Sequence, residues 1–363
     1  MKIKSLFAFL LVCLMCFMTL SSCEFFKNPE EEIQYSEGLD YELTKDGKGY
    51  IVTGLGTCQS LKLVIPPSYN GLPVVEIGDR AFFECLKVGY VVLPDTIVTL
   101  GEWCFGNSLL AEINIPSSVK RIGNYAFTGT ILTKIEISEG VETIGYQAFR
   151  ACNELESITL PSSVKTIEDE AFMYCKELKT VGIPASVTTI GDKAFRGLSS
   201  LVAFEVDENN RYFSSVNGDL YDKSGTKLLY YAQGKEEKNI IIPDGVVSIG
   251  DYAFENCVFI KTVTFPETLV SIGAGAFCGD FGIESITLPK SLQTLGPKAF
   301  GACKYLSTVY FTGTADEWSA IFKTGIIDTE LFRWDWAMQS YRMDCVDAYW
   351  DMVPGESYKV IYK

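Results

Sequence analysis

The chain has 363 residues, 47% of them hydrophobic, and a formal charge of −15 at neutral pH. That is ample apolar material for a core, and an acidity that excludes a nucleic-acid binder and serves solubility. Histidine is absent, which excludes every histidine-based triad, the HExxH metalloproteases and histidine-containing zinc sites.

Residues 1–22 carry Lys2 and Lys4, an apolar run from Leu6 to Met18 and small residues before Cys23, the marks of a secretory signal. The apolar run is too short for a comfortable transmembrane span. Its Leu20-Ser21-Ser22-Cys23 ending resembles a bacterial lipobox. That likeness implies that Cys23 is diacylated, becomes the first residue of the mature lipoprotein and anchors it to a membrane. Cys13 and Cys16 form a C-x-x-C inside the leader and carry no redox meaning. Residues 23–38 turn polar and acidic after Phe26 and read as a tether.

Residues 39–62 predict an N-terminal hairpin cap, with Tyr41–Thr44 and Gly49–Val52 flanking an Asp46-Gly47 turn. From 63 to 203 the chain copies one unit, clearest in LPSSVKTIEDEAFMYCKELKTVG from Leu160 to Gly182. Units begin at Leu93, Ile115, Ile137, Leu160 and Ile183, then again at Ile242, Phe265 and Leu288 within 242–311. With an opening coil at Ile65 this predicts nine coils of a solenoid. Burying about seven side chains contributes roughly 10 to 20 kcal/mol, while fixing 23 backbones costs roughly 25 to 45 kcal/mol. No unit folds alone, so each coil must stack on the next through parallel strands, with Phe172 over Phe195. Pro161, Ser162 and Ser163 exclude one continuous helix, leaving short strands joined by helical or 3-10 turns. The rhythm breaks over 204–241, where Asn217-Gly218 and Ser224-Gly225 turns predict an inserted hairpin or meander. Residues 312–363 predict a C-terminal cap. Thr314 to Glu317 is a capping box, and Trp318, Ile321 and Phe322 follow on one helical face. The tail ends in a run, Tyr358 to Tyr362, that reads as a closing strand.

The recurring I-P-x-x-V-x-x-I-G-x-x-A-F-x-x-C-x-x-L resembles the repeat of the BspA-like leucine-rich repeat surface proteins. The lead-in Val52-Thr53-Gly54-Leu55-Gly56 and the Tyr310-Phe311-Thr312-Gly313 to Glu317-Trp318 ending share that likeness. It spans about Leu39 to Phe322. It implies a leucine-rich solenoid on a cell surface, with adhesion or ligand binding as the role.

Cys85, Cys152, Cys175, Cys257 and Cys303 each stand three residues after the Phe of A-F. Cys152 and Cys175 fall in adjacent coils, within disulfide range in an exported protein. The favoured reading is a ladder of buried free thiols, each packing as a small apolar group and donating weakly to a loop carbonyl, as the family likeness implies. Carboxylate pairs such as Asp169 and Glu170 read as solvated, and nothing demands two acids converging on one cleft.

The candidate binding face lies on the strands of L-x-x-I-x-[IL]-P, where the residues flanking the inner Ile point outward. One row is Glu112, Lys134, Ser157, Thr180, Thr262, Ser285 and Thr308; a second is Asn114, Glu136, Thr159, Gly182, Thr264, Thr287 and Tyr310. Small hydroxyls along such a surface suit an extended extracellular protein or polysaccharide, and are equally what a solvated parallel sheet tolerates. Trp334, Trp336 and Trp350 offer a sugar-stacking platform as an alternative, against packing in the terminal cap. No cofactor or metal is called for, membrane contact is expected through the lipid anchor alone, and the protein reads as a non-catalytic monomer.

Overall fold

The computed structural model describes residues 33–323 and 359–362. The leader, Cys23, most of the tether and Trp334, Trp336 and Trp350 lie outside the described residues, as does the side chain of Phe322.

From Ser36 the chain winds as a parallel β-solenoid, the fold class its repeat requires. Each regular coil supplies two short strands that pair in register with coils 22 or 23 residues away. Thr143 faces Arg121 on one side and Thr166 on the other, with Ile144 between Ile122 and Ile167. These strands make the second wall; on the first wall, built from the strand that opens each coil, Lys134 faces Ser157 and Ile135 faces Ile158. The period of the sequence is the register of the sheet.

The interior is a stack of like residues. Phe82, Phe105, Phe127, Phe149, Phe172 and Phe195 lie face to face with centroids 5.2 to 5.6 Å apart. That spacing follows the strand separation, so each ring covers the next without a void.

The A-F segment between the strands is a run of tight turns. Ala148, Arg150 and Cys152 each donate a backbone N–H three residues back, to Gly145, Gln147 and Phe149. Left-handed residues interrupt it, Gln147 at φ 51° and Ala151 at φ 55°, so no helix propagates. Each left-handed residue costs about 1 to 2 kcal/mol. In return the N–H groups of Gln147, Phe149 and Ala151 point along the solenoid axis and reach the carbonyls of Asp169, Ala171 and Met173 in the next coil at 2.8 to 3.1 Å. The turn thus behaves as a third hydrogen-bonded wall.

Buried thiols sit where the Cys spacing placed them. Cys152, Cys175 and Cys303 donate to the carbonyls of Phe127, Phe149 and Phe277 in the preceding coils at 3.0 to 3.1 Å. These three, with Cys85 and Cys257, are buried and unbridged. Ser108 and Thr130 fill the same slot in other coils, and their hydroxyls bond the Phe carbonyl of their own coil.

The segment that breaks the rhythm carries part of the solenoid with it. Ala203–Val206 pairs in parallel with Thr180–Ile183 and extends the first wall by one coil. Phe213–Val216, Asp219–Asp222 and Lys227–Tyr230 form an antiparallel meander, and the last of them pairs in parallel with Ser248–Ile249. An additional, enlarged coil is therefore hidden in the insertion, with Tyr231 stacked on Phe254 at 4.8 Å in the place of the usual Phe. The second wall is interrupted here: among the described strands Thr189–Ile190 pairs only with Thr166–Ile167. The core accordingly divides into two clusters.

At the start, Asp40–Leu43 and Tyr50–Gly54 form the antiparallel hairpin. At the end, Thr314 and Glu317 exchange the two bonds of a capping box, at 2.7 and 3.2 Å, and open the helix Ala315–Lys323. Its Trp318 packs on Phe311, and Lys359–Tyr362 pairs in parallel with Thr308–Phe311.

Candidate binding surfaces

The first wall presents the residues that the repeat pattern singled out. The pleat buries Ile113, Ile135, Ile158, Val181, Val263, Ile286 and Val309. Their neighbours turn outward: Glu112, Lys134, Ser157, Thr262 and Ser285 are exposed, and Thr180 and Thr308 half-buried. In the second row Asn114, Glu136, Thr159, Thr264 and Thr287 are exposed, with Gly182 and Tyr310 half-buried.

The wall does not carry these as one continuous strip. Thr180 faces Ala203 and Thr262 faces Asn239, with the insertion between the two sets. Asn114 is also committed elsewhere, since its side-chain amide bonds both the N–H and the C=O of Leu93 at 2.8 and 2.9 Å. It joins two coils in the way a backbone group would.

The second wall is the longer sheet, and sequence reasoning passed over it as a surface. Its outward row runs Arg121, Thr143, Thr166 and Thr189, then Lys227, Ser248, Ser271 and Thr294 beyond the interruption. The hydroxyl before the Ile or Leu in T-I-G, S-I-G and T-L-G was the signal available. Glycine follows that Ile because the next backbone is close: a Cβ on Gly145 would sit 2.6 Å from the Ile122 carbonyl oxygen.

Glu168 departs from this rule. Its carboxylate reaches back across two coils, accepting from Arg121 at 2.6 and 2.8 Å and from the Tyr146 N–H at 2.8 Å. The Arg121 hydrogen bonds hold the Glu168 carboxyl below the usual carboxylate range. Beside it Tyr146, Thr166, Asp169 and Thr189 enclose a notch of about 210 Å³.

The larger concavity lies where the second wall is interrupted. It is a groove of about 690 Å³. Ile190, Asp192 and Lys193 line one side, and Phe213, Lys227, Leu229, Ser248, Asp251, Ser271 and Thr294 the rest. Both charge signs, a row of hydroxyls and an apolar patch converge there. That mixture suits an extended polar chain with occasional apolar side chains. Among the described residues no group of three or more Cys, Asp or Glu side chains is placed to hold a metal ion.

Parallel coils, a one-residue Phe stack and a recurring I-G-x-x-A-F turn define a leucine-rich repeat solenoid. The model for the BspA type leucine rich repeat region matches in six copies over residues 75–202 and 229–326, more than half of the chain, and the chain belongs to that family. No curated protein matches it. Among solved structures it is similar to the pneumococcal vaccine antigen PcpA, at 25% identity and a TM-score of 0.69, over 77% of this chain and 81% of that one. It is also similar to a leucine rich cell surface protein from Faecalibacterium prausnitzii, at 25% identity and a TM-score of 0.58, over 81% and 98%. A leucine-rich repeat protein from Eubacterium ventriosum shares the fold at 24% identity and a TM-score of 0.50, over 77% and 71%. Proteins of this type are bacterial surface proteins, and among the described residues no helix is long and apolar enough to cross a membrane.

Proposed function

We propose that this chain is an exported, lipid-anchored surface protein, held through Cys23, that binds an extracellular protein or polysaccharide and catalyses nothing. The observation that carries this reading is the groove at the interrupted second wall. Its hydroxyls, both charge signs and apolar patch offer many weak contacts along one line, which is how a repeat surface holds an extended partner. Membership of the BspA-type family and the likeness to a leucine rich cell surface protein support the location. The rows on the first wall are a second contact surface of the same kind.

The test is binding of the mature chain to immobilised extracellular-matrix proteins and microbial polysaccharides, with two variants. Ser248→Arg with Ser271→Arg crowds the groove, and Thr262→Arg with Thr287→Arg crowds the first wall. Thr262 and Thr287 are exposed and Ser248 and Ser271 half-buried at the groove, so a melting curve accompanies each variant. A ligand lost by the first variant and kept by the second supports the groove. The reverse moves the site to the first wall, and no ligand from either panel overturns the proposal.

A further inference from the structure

The corner of the solenoid that follows the A-F turn changes character along its length. Immediately after the buried-thiol slot stand Leu86, Leu109 and Ile131 in three successive coils, then Asn153, Lys176 and Ser199 in the next three. Leu86 is 69% exposed, and Leu109 and Ile131 are exposed as well. Leu61, 68% exposed, and Tyr90 border them. The Leu109 N–H donates to the Cys85 carbonyl at 3.0 Å and the Gly89 N–H to the Leu61 carbonyl at 3.1 Å, so these corners lie side by side. With coils about 4.8 Å apart, the stripe is about 15 Å long. Val258 is the next exposed apolar residue in this slot, on the far side of the insertion. One exposed leucine requires no explanation, but a contiguous stripe marks a contact.

The place where the chain enters the solenoid identifies the contact. Ser36 is pinned to the strand Lys62–Val64, next to Leu61: its N–H donates to the Val64 carbonyl and its hydroxyl accepts the Val64 N–H, both at 2.9 Å. Ser36 lies thirteen residues after Cys23. That stretch spans at most about 45 Å, so a lipid on Cys23 keeps this end of the solenoid near the membrane whatever path it takes.

We propose that the stripe formed by Leu61, Leu86, Tyr90, Leu109 and Ile131 lies on the lipid surface to which Cys23 anchors the protein. This rests on the anchored reading above and adds an orientation to it. The anchor supplies the effective concentration, so a stripe too small to bind a membrane from solution suffices once tethered. The Tyr90 phenol suits the headgroup level, and the exposed Lys87 can lay its stem along lipid with its ammonium group in water. Glu84 and Glu112 are exposed nearby, so the patch has no dominant charge and zwitterionic lipid serves. The first coils then rest on the bilayer, and the groove lies further along the solenoid, past Thr189–Ile190.

The experiment uses the full lipidated chain in phosphatidylcholine vesicles, with and without brominated acyl chains. Leu109→Trp places a reporter in the stripe and Lys176→Trp places one in the same slot three coils on. The signal is the difference from the unsubstituted chain. The expected result is quenching by brominated lipid at 109 and none at 176, lost when Leu86→Glu and Ile131→Glu are added while flotation with the vesicles and the melting temperature are kept. A chain that floats but shows no quenching at 109, or equal quenching at both positions, overturns the docking alone. A chain that does not float overturns the anchor and the docking with it. A dimer in solution that dissociates on Leu109→Glu assigns the stripe to a second copy and also overturns the proposal.

Discussion

Arg196 and Glu255 are 59 residues apart in sequence and meet where the second wall is interrupted. The guanidinium Nε donates to Oε2 and Nη2 to Oε1, each at 2.6 Å, and the two side chains are 9% and 4% exposed. The guanidinium carbon lies 4.0 Å from the Tyr252 ring centroid and 5.7 Å from that of Tyr174, so a ring from each side of the interruption flanks the pair. Glu255→Ala leaves a buried cation with no counter-ion, which destabilises by about 3 to 5 kcal/mol. Because coils feel only their neighbours, that loss falls on the junction, and the two halves should then unfold separately in urea. Arg196→Met with Glu255→Leu fills the site with apolar groups and should recover the loss, since such replacements are often neutral or stabilising by about 1 to 4 kcal/mol. The assay is equilibrium unfolding followed by circular dichroism, with hydrogen exchange to assign each transition to a half. A Glu255→Ala variant that unfolds in one step and loses no more than about 1 kcal/mol, as an exposed pair would, refutes the reasoning.

Two further outcomes follow from particular residues. Asp280 occupies the thiol slot with no exposure, accepts the Cys257 N–H at 2.7 Å through one oxygen and has no partner for the other, and burial pushes its carboxyl well above the usual range. The folded chain keeps a proton there that the unfolded chain releases above about pH 4. Stability from this site is therefore complete in acid and declines as pH rises toward the folded pKa, by about 1.4 kcal/mol per pH unit. Asp280→Asn should melt above the parent at neutral pH and match it in acid; melting curves across pH check this, and a constant offset counts against it. Gly145→Ala, whose Cβ would crowd the Ile122 carbonyl, Gly123 and Asn124, should cost about 1 to 3 kcal/mol, whereas Gly182→Ala, with nothing within 4 Å, should cost nothing measurable in the same urea titration.

Sequence by itself determined whatever depends on a residue and its copy one period away. The Phe stack, the parallel register at Ile135 and Ile158, the thiols of Cys152 and Cys175 and the outward rows were legible, because in a stacked array the neighbour of each residue is its own repeat. Tertiary structure decided what the period does not encode. Which wall runs longest, and that the insertion holds a coil ending in Tyr231, depends on where a break returns the chain to register. Arg121 meets Glu168 two coils away, Arg196 meets Glu255 across the break, and Asp280 is buried among thiols. The groove exists because Thr189–Ile190 and Lys227–Tyr230 fail to pair, and strand pairing over an irregular loop is set by packing on both sides, which no local pattern records.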